Sequence, residues 1–158
     1  MDMDLYFVRH GLALDRSSSQ PDMTRPLTRE GMQRTRQMAH ALKRLGVTWD
    51  LLLTSPVVRA METALLLEEV GLTAALRVYA PLAPGGDITL FKDWLTTQEP
   101  LPTAIALVGH QPDLGHWIEL LLYGQPYGQI LLKKSGVARL AWQLEGAQLL
   151  WLLPPKLF

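Results

Sequence analysis

Three short segments of the sequence place cationic or imidazole side chains directly after apolar runs. Guanidinium groups bind phosphate through paired hydrogen bonds and stay charged at any working pH. A neutral imidazole nitrogen is a nucleophile that can accept a phosphoryl group as a covalent intermediate. Brought together, the segments would form an anion pocket capable of phosphoryl chemistry. The side chains concerned are Arg9, His10, Arg59 and His110.

His10 is the candidate nucleophile of this pocket. To attack phosphorus, one ring nitrogen must be unprotonated while the other donates a hydrogen bond, which fixes the tautomer. Gly11 has no side chain, so the backbone can fold back closely enough for its carbonyl group to accept that bond. The surrounding cations would stabilise charge on the equatorial oxygens of the phosphoryl group and would keep the proton affinity of His10 low.

The predicted secondary structure gives these segments a common location. Apolar runs predict strands at residues 3–8, 51–53, 77–79 and 103–109, and a closing hairpin at 136–144 and 148–153. Helices are predicted from the N-cap Thr28 to about Leu45, and at 57–70, 88–97 and 113–123. This order predicts an α/β fold, a three-layer αβα sandwich whose sheet is mostly parallel with an antiparallel edge. Ligands of such sheets bind beyond the carboxyl ends of the strands, where the candidate side chains fall.

Two local features refine the helix predictions. The first helix should bury an apolar stripe formed by Met38, Leu42 and Leu45. The second should be capped by Ser55, with Pro56 in its first turn. Free backbone N–H groups in that turn would add to the anion pocket.

Length and composition limit the classes of protein that fit. The 158 residues predict a single domain, residues 1–158, and the hydrophobic fraction of 48% allows a substantial core. Fifteen basic residues balance fifteen acidic ones, which argues against a general nucleic-acid binder. The chain has no cysteine, so it has no disulfides and no thiolate metal site. The start of the chain lacks signal-peptide character and the apolar runs are too short to span a membrane, so we expect a cytoplasmic protein.

Four motifs in this order resemble the histidine phosphatase (phosphoglycerate-mutase-like) superfamily. They are RHG at residues 9–11, PLTREG at 26–31, SPVVRAMETA at 55–64 and VGHQP at 108–112. The short chain and the PGGD segment at 84–87 are most similar to its small bacterial branch, the phosphohistidine phosphatases of the SixA type. The resemblance extends over nearly the whole chain.

The resemblance implies His10 as nucleophile, with Arg9, Arg59 and His110 as phosphate ligands and Gly11 beside them. It implies no metal and no organic cofactor. It also implies a phosphohistidine-bearing protein as partner, such as a phosphotransfer domain or a phosphocarrier, with inorganic phosphate as product.

The sequence departs from the larger members of the superfamily in one respect. Those members use a glutamate to protonate an alcohol leaving group, and here the one candidate for an acid is Asp87, which also suits the N-cap of the following helix. An N-phosphorylated imidazole leaves easily once its ring is protonated, so hydrolysis of phosphohistidine depends less on such an acid. This favours phosphohistidine over a phosphate ester as substrate.

Other interpretations of the same residues remain open at this point. His10 could be a core histidine, Arg59 could pair with Glu62 or Glu68, and His110 could cap a helix. Arg25 could border the pocket or brace the turn at 26–28, and Lys133-Lys134 could be a solvated turn or could steer an acidic partner. Two alternative functions follow: a small-molecule phosphomonoesterase of the same superfamily, or a non-catalytic module that binds phosphate.

Overall fold

Six strands and four α-helices make up the described part of the chain. The structure is a computed structural model that describes residues 2–17, 19–143 and 145–158. The strands are β1 (Asp2–Arg9), β2 (Leu51–Thr54), β3 (Leu76–Val78), β4 (Ala104–Gly109), β5 (Val137–Gln143) and β6 (Gly146–Leu153). The helices are α1 (Arg29–Arg44), α2 (Val58–Val70), α3 (Ile88–Leu95) and α4 (Asp113–Tyr123). Short 3₁₀ turns lie at Asp22–Thr24, Ala80–Leu82 and Pro155–Leu157.

The strands form one sheet in the order β3-β2-β4-β1-β5-β6. The pairs β2–β3, β2–β4 and β1–β4 are parallel, whereas β1–β5 and β5–β6 are antiparallel. This confirms the predicted sheet, mostly parallel with an antiparallel edge. Because Arg9 is in register with Gly109, and Thr54 with Val108, the strands β1, β2 and β4 end at the same level.

Helices cover both faces of the sheet, which confirms the three layers. Successive residues of β1 point to opposite faces, so Phe7 packs in the core beneath α3 and α4, while Val8 packs in the core beneath α1 and α2. Both residues are completely buried, as expected for a strand covered on two sides. Among the helices of the described residues, none is long and apolar enough to cross a membrane.

The predicted helix ends are correct for α1 and need correction for α2 and α3. Thr28 is the N-cap of α1, and its hydroxyl accepts the Gly31 N–H. Helix α2 begins at Val58 with Val57 as N-cap, so the predictions that Ser55 caps it and that Pro56 lies in its first turn were both wrong. Helix α3 ends at Leu95, because the hydroxyls of the following threonines donate to the carbonyl groups of residues 93 and 94.

One residue of the predicted apolar stripe of α1 is not in the core. Met38 and Leu42 are completely buried, but Leu45 is 66% exposed. Leu45 is the C-cap of α1, where the backbone leaves the helical path and the residue no longer continues the buried side of the helix.

A buried carboxylate in α4 organises the segment that leads to β5. The side chain of Glu119 accepts the backbone N–H groups of Tyr127, Gln129 and Ile130 at 2.6, 3.1 and 3.2 Å. Burial raises the pKa of Glu119, but these hydrogen bonds outweigh it and hold the pKa below its ordinary value. The same segment continues to Leu132, whose carbonyl group accepts a hydrogen bond from Arg9 at 3.0 Å. Glu119 therefore fixes the segment that positions Arg9.

This arrangement predicts a pH-dependent contribution of Glu119 to stability. The variant E119Q should have a lower Tm than the wild type at neutral pH, because an amide offers one acceptor oxygen where the carboxylate offers two. Since the folded-state pKa lies below the ordinary value of about 4.3, the contribution is present above that pH and is lost as the pH falls through the folded-state pKa.

Thermal unfolding at a series of pH values measures the effect as the difference in Tm between wild type and E119Q. That difference should shrink below about pH 4. The exposed Glu69 provides the matched control, and E69Q should change the Tm little at any pH. The proposed role of the Glu119 carboxylate would be contradicted if E119Q had the same Tm as the wild type at neutral pH, or if the difference in Tm did not vary with pH.

Candidate active site

His10 directly follows β1 and has an imidazole with a defined tautomer. Its Nδ1 lies 2.7 Å from the carbonyl oxygen of Gly11, which can only accept, so Nδ1 carries the proton. The Nε–H of Arg59 donates to His10 Nε2 at 3.4 Å, so Nε2 presents a lone pair. The predicted hydrogen bond to Gly11 is present, and His10 is a neutral imidazole with its free nitrogen at Nε2.

The surroundings of His10 favour the neutral ring. Burial lowers the pKa of His10 from 6.5 to about 3; the hydrogen bond to Gly11 opposes this shift, and the charges of His110, Arg59 and Arg9 add to it. His10 is 7% exposed. Its ring is therefore both held in place and neutral at physiological pH, with its single ring proton on Nδ1.

Gly11 has a steric reason to be glycine. A Cβ atom at this position would lie 2.7 Å from the hydroxyl oxygen of Thr35 and 3.2 Å from the carbonyl oxygen of Gly31. The N–H of Gly11 donates to the hydroxyl of Thr63 in α2 at 3.0 Å. The Gly11 backbone, whose carbonyl group accepts the hydrogen bond from His10 Nδ1, is thus fixed between α1 and α2.

His110 directly follows β4 and stands beside His10. The centroids of the two rings are 5.2 Å apart, and His110 is 4% exposed. Its Nε2 lies 2.8 Å from the hydroxyl oxygen of Ser55, whereas its Nδ1 is buried and has no hydrogen-bond partner among the described residues. Burial lowers the pKa of His110 to about 4; the charge of Arg59 adds to this, Asp22 opposes it, and Arg9 adds a smaller effect.

Arg59 lies in the first turn of α2 and reaches the same point. Its side chain is buried, and besides the contact with His10 it donates to the backbone carbonyl of Asp22 at 2.9 Å and to the Asp22 carboxylate at 3.3 Å. The alternative pairing with Glu62 is not formed, since Glu62 accepts the backbone N–H of Leu27 at 2.8 Å. Arg59 therefore joins His10 to the 3₁₀ turn at Asp22–Thr24.

Asp22 is a site residue that sequence reasoning missed. Its carboxylate forms ion pairs with Arg16, Arg25 and Arg59 at 3.4, 2.8 and 3.3 Å. The hydrogen bond from Arg25 is the main reason that the pKa of Asp22 is lowered, with the charges of the other arginines adding to it. The spacing of Asp22 and Arg25, three residues apart in one turn, was the signal for this network.

Arg9 ends β1 and completes the cluster of cations. One guanidinium nitrogen donates to the carbonyl group of Leu132, and Nε is buried without a hydrogen-bond partner in the described part of the chain. Burial lowers the pKa of Arg9 from its ordinary value. The cluster lines a cavity of about 290 Å³, whose described lining residues are Arg9, His10, Ala13, Asp15, Arg16, Arg25, Arg59, His110, Gln111 and Lys134.

Asp87 stands apart from this cavity. It is the N-cap of α3, where its carboxylate accepts the Thr89 N–H at 2.8 Å, and that hydrogen bond lowers its pKa. The side chain is exposed. The structure therefore gives Asp87 the capping role and offers no geometry for proton donation into the cavity.

Arg25 both braces the loop after β1 and borders the cavity. Its guanidinium donates to the carbonyl group of Leu14 and pairs with Asp22, which braces the loop after β1, and it also lines the cavity. Within residues 2–17, 19–143 and 145–158, no group of three histidine, aspartate or glutamate side chains could hold a metal ion.

A neutral histidine among arginines, at the carboxyl edge of an αβα sandwich, defines a site of the phosphoryl-transfer class. Comparison with known proteins makes this specific. The model of the histidine phosphatase superfamily (branch 1) matches residues 5–78. The phosphohistidine phosphatase SixA of Escherichia coli (strain K12) is 32% identical over 93% of this chain and 96% of its own length. The chain belongs to the histidine phosphatase superfamily and is a phosphatase.

Two further comparisons agree with this assignment. A structure of the protein histidine phosphatase SixA complexed with tungstate has a TM-score of 0.86 at 26% identity and covers 98% of both chains. An uncharacterised protein of a Picosynechococcus strain is 44% identical over 85% of this chain and 82% of its own length. The resemblance of the motifs to this superfamily is confirmed.

The geometry predicts that both site histidines stay neutral well below the ordinary pKa of histidine. Nuclear magnetic resonance of ring nitrogens should show His10 as the Nδ1-protonated tautomer from neutral pH to about pH 5, where an exposed histidine is mostly charged. His110 should likewise remain uncharged over this range. Titration of either ring near pH 6.5 would contradict the site as described.

Proposed function

We propose that this phosphatase hydrolyses phosphohistidine on a protein partner through a covalent phospho-His10 intermediate. The observation that carries the proposal is the lone pair at His10 Nε2, directed toward Arg59 while Nδ1 is fixed by Gly11. A nucleophile in this state needs no separate base to remove a proton before attack. Its burial among cations that line the same cavity supports phosphoryl binding beside it.

The reaction has two displacements at phosphorus. In the first, the Nε2 lone pair forms a bond to phosphorus while the bond to the substrate's imidazole breaks. The departing nitrogen keeps the electron pair of that bond, and the substrate ring, already protonated by solvent on its other nitrogen, leaves as neutral imidazole. In the second, water attacks phosphorus, the bond to His10 Nε2 breaks and inorganic phosphate leaves. Nδ1–H remains bonded to the Gly11 carbonyl throughout, so the positive charge that develops on the phosphorylated ring is stabilised at that bond.

Arg9, Arg59 and His110 are the proposed ligands of the phosphoryl oxygens. Arg9 brings a buried Nε–H without a partner in the described chain, and Arg59 brings the N–H that otherwise contacts His10 Nε2. In this proposal the Ser55 hydroxyl donates to His110 Nε2, so that the His110 proton lies on Nδ1. That N–H also lacks a partner among the described residues, and a phosphoryl oxygen would satisfy it.

The leaving group supports the choice of substrate class. The Asp22 carboxylate is held ionised by arginines, and the Asp87 carboxylate caps a helix, so neither is suited to protonate an alkoxide. A further carboxylate, that of Asp15, is in the described lining of the cavity. Protonated imidazole is a good leaving group that requires no strong acid. The names of the SixA relatives, phosphohistidine phosphatase and protein histidine phosphatase, support the same substrate class.

The covalent step is tested with a labelled phosphohistidine peptide and rapid quenching. The wild type should carry a label that is stable to alkali and labile to acid, and H10A should carry none. Turnover by H10A should fall by at least about a thousandfold, because alanine offers no nucleophile in place of the imidazole. H40A is the matched control, since His40 is exposed on α1, and it should keep its activity. Undiminished turnover by H10A would remove His10 from the role.

The substrate class is tested by comparing kcat/KM on a phosphohistidine peptide with values for a panel of sugar and nucleotide phosphates. We expect the peptide to be preferred by about a hundredfold, which is the lower range of what a positioned general acid contributes to ester cleavage. Preference for the small esters would assign the chain to the phosphomonoesterases. Binding of phosphate without turnover of any compound would identify a binding module.

A further inference from the structure

A basic groove adjoins the catalytic cavity. Its volume is about 500 Å³, and its described lining consists of Arg9, Arg34, Lys133, Lys134, Pro154, Pro155 and Lys156. Five of these seven residues are cationic and none is acidic. The whole chain carries equal numbers of basic and acidic residues, so the positive charge of this groove is a local excess and not a property of the chain as a whole.

The charges in the groove are largely uncompensated. Arg34 is paired with Glu30 at 3.1 Å on the exposed side of α1, so it adds little. In contrast, Lys133, Lys134 and Lys156 are exposed and form no ion pair with any described residue. An approaching anion would therefore meet three free ammonium groups.

The groove and the catalytic cavity share two of their described lining residues. Arg9 and Lys134 line both spaces, so a molecule that occupies the cavity has the groove directly beside it. The cations come from four parts of the chain: the end of β1, α1, the segment before β5, and the 3₁₀ turn after β6. This distribution produces a broad surface that a single small anion would not span.

We propose that the basic groove is the docking surface for an acidic face of the phosphohistidine-bearing protein. The inference rests on the proposed function and names the kind of partner that the site accepts. A lysine ammonium is a point charge on a flexible side chain and lacks the rigid, paired donors of an arginine guanidinium. Lysines are therefore suited to attracting carboxylates of a partner without requiring one fixed geometry. Asp and Glu side chains around the phosphohistidine would lie on the groove while the phosphoryl group enters the cavity of His10.

The test uses two synthetic phosphohistidine peptides that differ in charge alone, one flanked by glutamates and the other by glutamines. The wild type should hydrolyse the glutamate peptide with a kcat/KM about tenfold higher at low salt, and this preference should vanish at about 0.5 M salt. The double variant K133E/K156E should lose or reverse the preference. Its activity on the glutamine peptide should remain within about twofold of wild type, because neither lysine lines the catalytic cavity.

The matched control is R77E/K92E, which changes the net charge equally. Arg77 is on β3, at the opposite edge of the sheet from β6, and Lys92 is on α3. This variant should keep the preference of the wild type. An equal preference in all three proteins, or none in the wild type, would overturn the docking surface while leaving the catalytic proposal intact.

Two other outcomes separate the proposals. Failure of the wild type to hydrolyse either peptide would overturn the proposed function itself. The other outcome is that the wild type shows no preference between the peptides but hydrolyses a small bisphosphate faster than a monophosphate, and that K133E/K156E abolishes this advantage. That result would assign the groove to a small polyanion and overturn the proposed protein-docking surface.

Discussion

The hydrogen bond from His10 Nδ1 to the carbonyl group of Gly11 is the constraint on which the site depends. It settles which nitrogen carries the proton, and so it leaves Nε2 with a lone pair facing the arginines. The carbonyl can reach this position because residue 11 has no Cβ, which would collide with Thr35. A methyl group at this position would therefore disturb the tautomer before it disturbed any contact with substrate.

The segments next to the antiparallel edge of the sheet help to position the candidate site, although the described residues of β5 and β6 supply none of its side chains. Glu119 fixes the segment that follows α4, and that segment presents the Leu132 carbonyl to Arg9. Further on, the backbone N–H of Ser135 approaches the carbonyl oxygens of Arg9 and His10 at 3.1 and 3.2 Å. The end of β1 is thus held from the side opposite to α2, and the position of Arg9 depends on a carboxylate in another layer.

The strand ends and their shared location could be predicted from the sequence, because the apolar runs are clear and parallel strands deliver their carboxyl ends to one edge. His10, Arg59 and His110 are adjacent for that reason. Asp22 could not be placed this way, since it lies in a polar loop whose path is set by ion pairs rather than by hydrophobic periodicity. Leu45 and Ser55 show the same limit at helix ends, where hydrogen bonding by single residues decides the boundary.

In the proposed mechanism, the carboxylate of Asp22 is the counter-charge of Arg59 until a phosphoryl group binds. A phosphoryl group that displaced part of this contact would bind with a smaller net affinity than an unpaired guanidinium would give. The exchange also works in the opposite direction. When phosphate departed, the buried arginine would regain this counter-charge, which would lower the free-energy cost of emptying the cavity and limit inhibition by product.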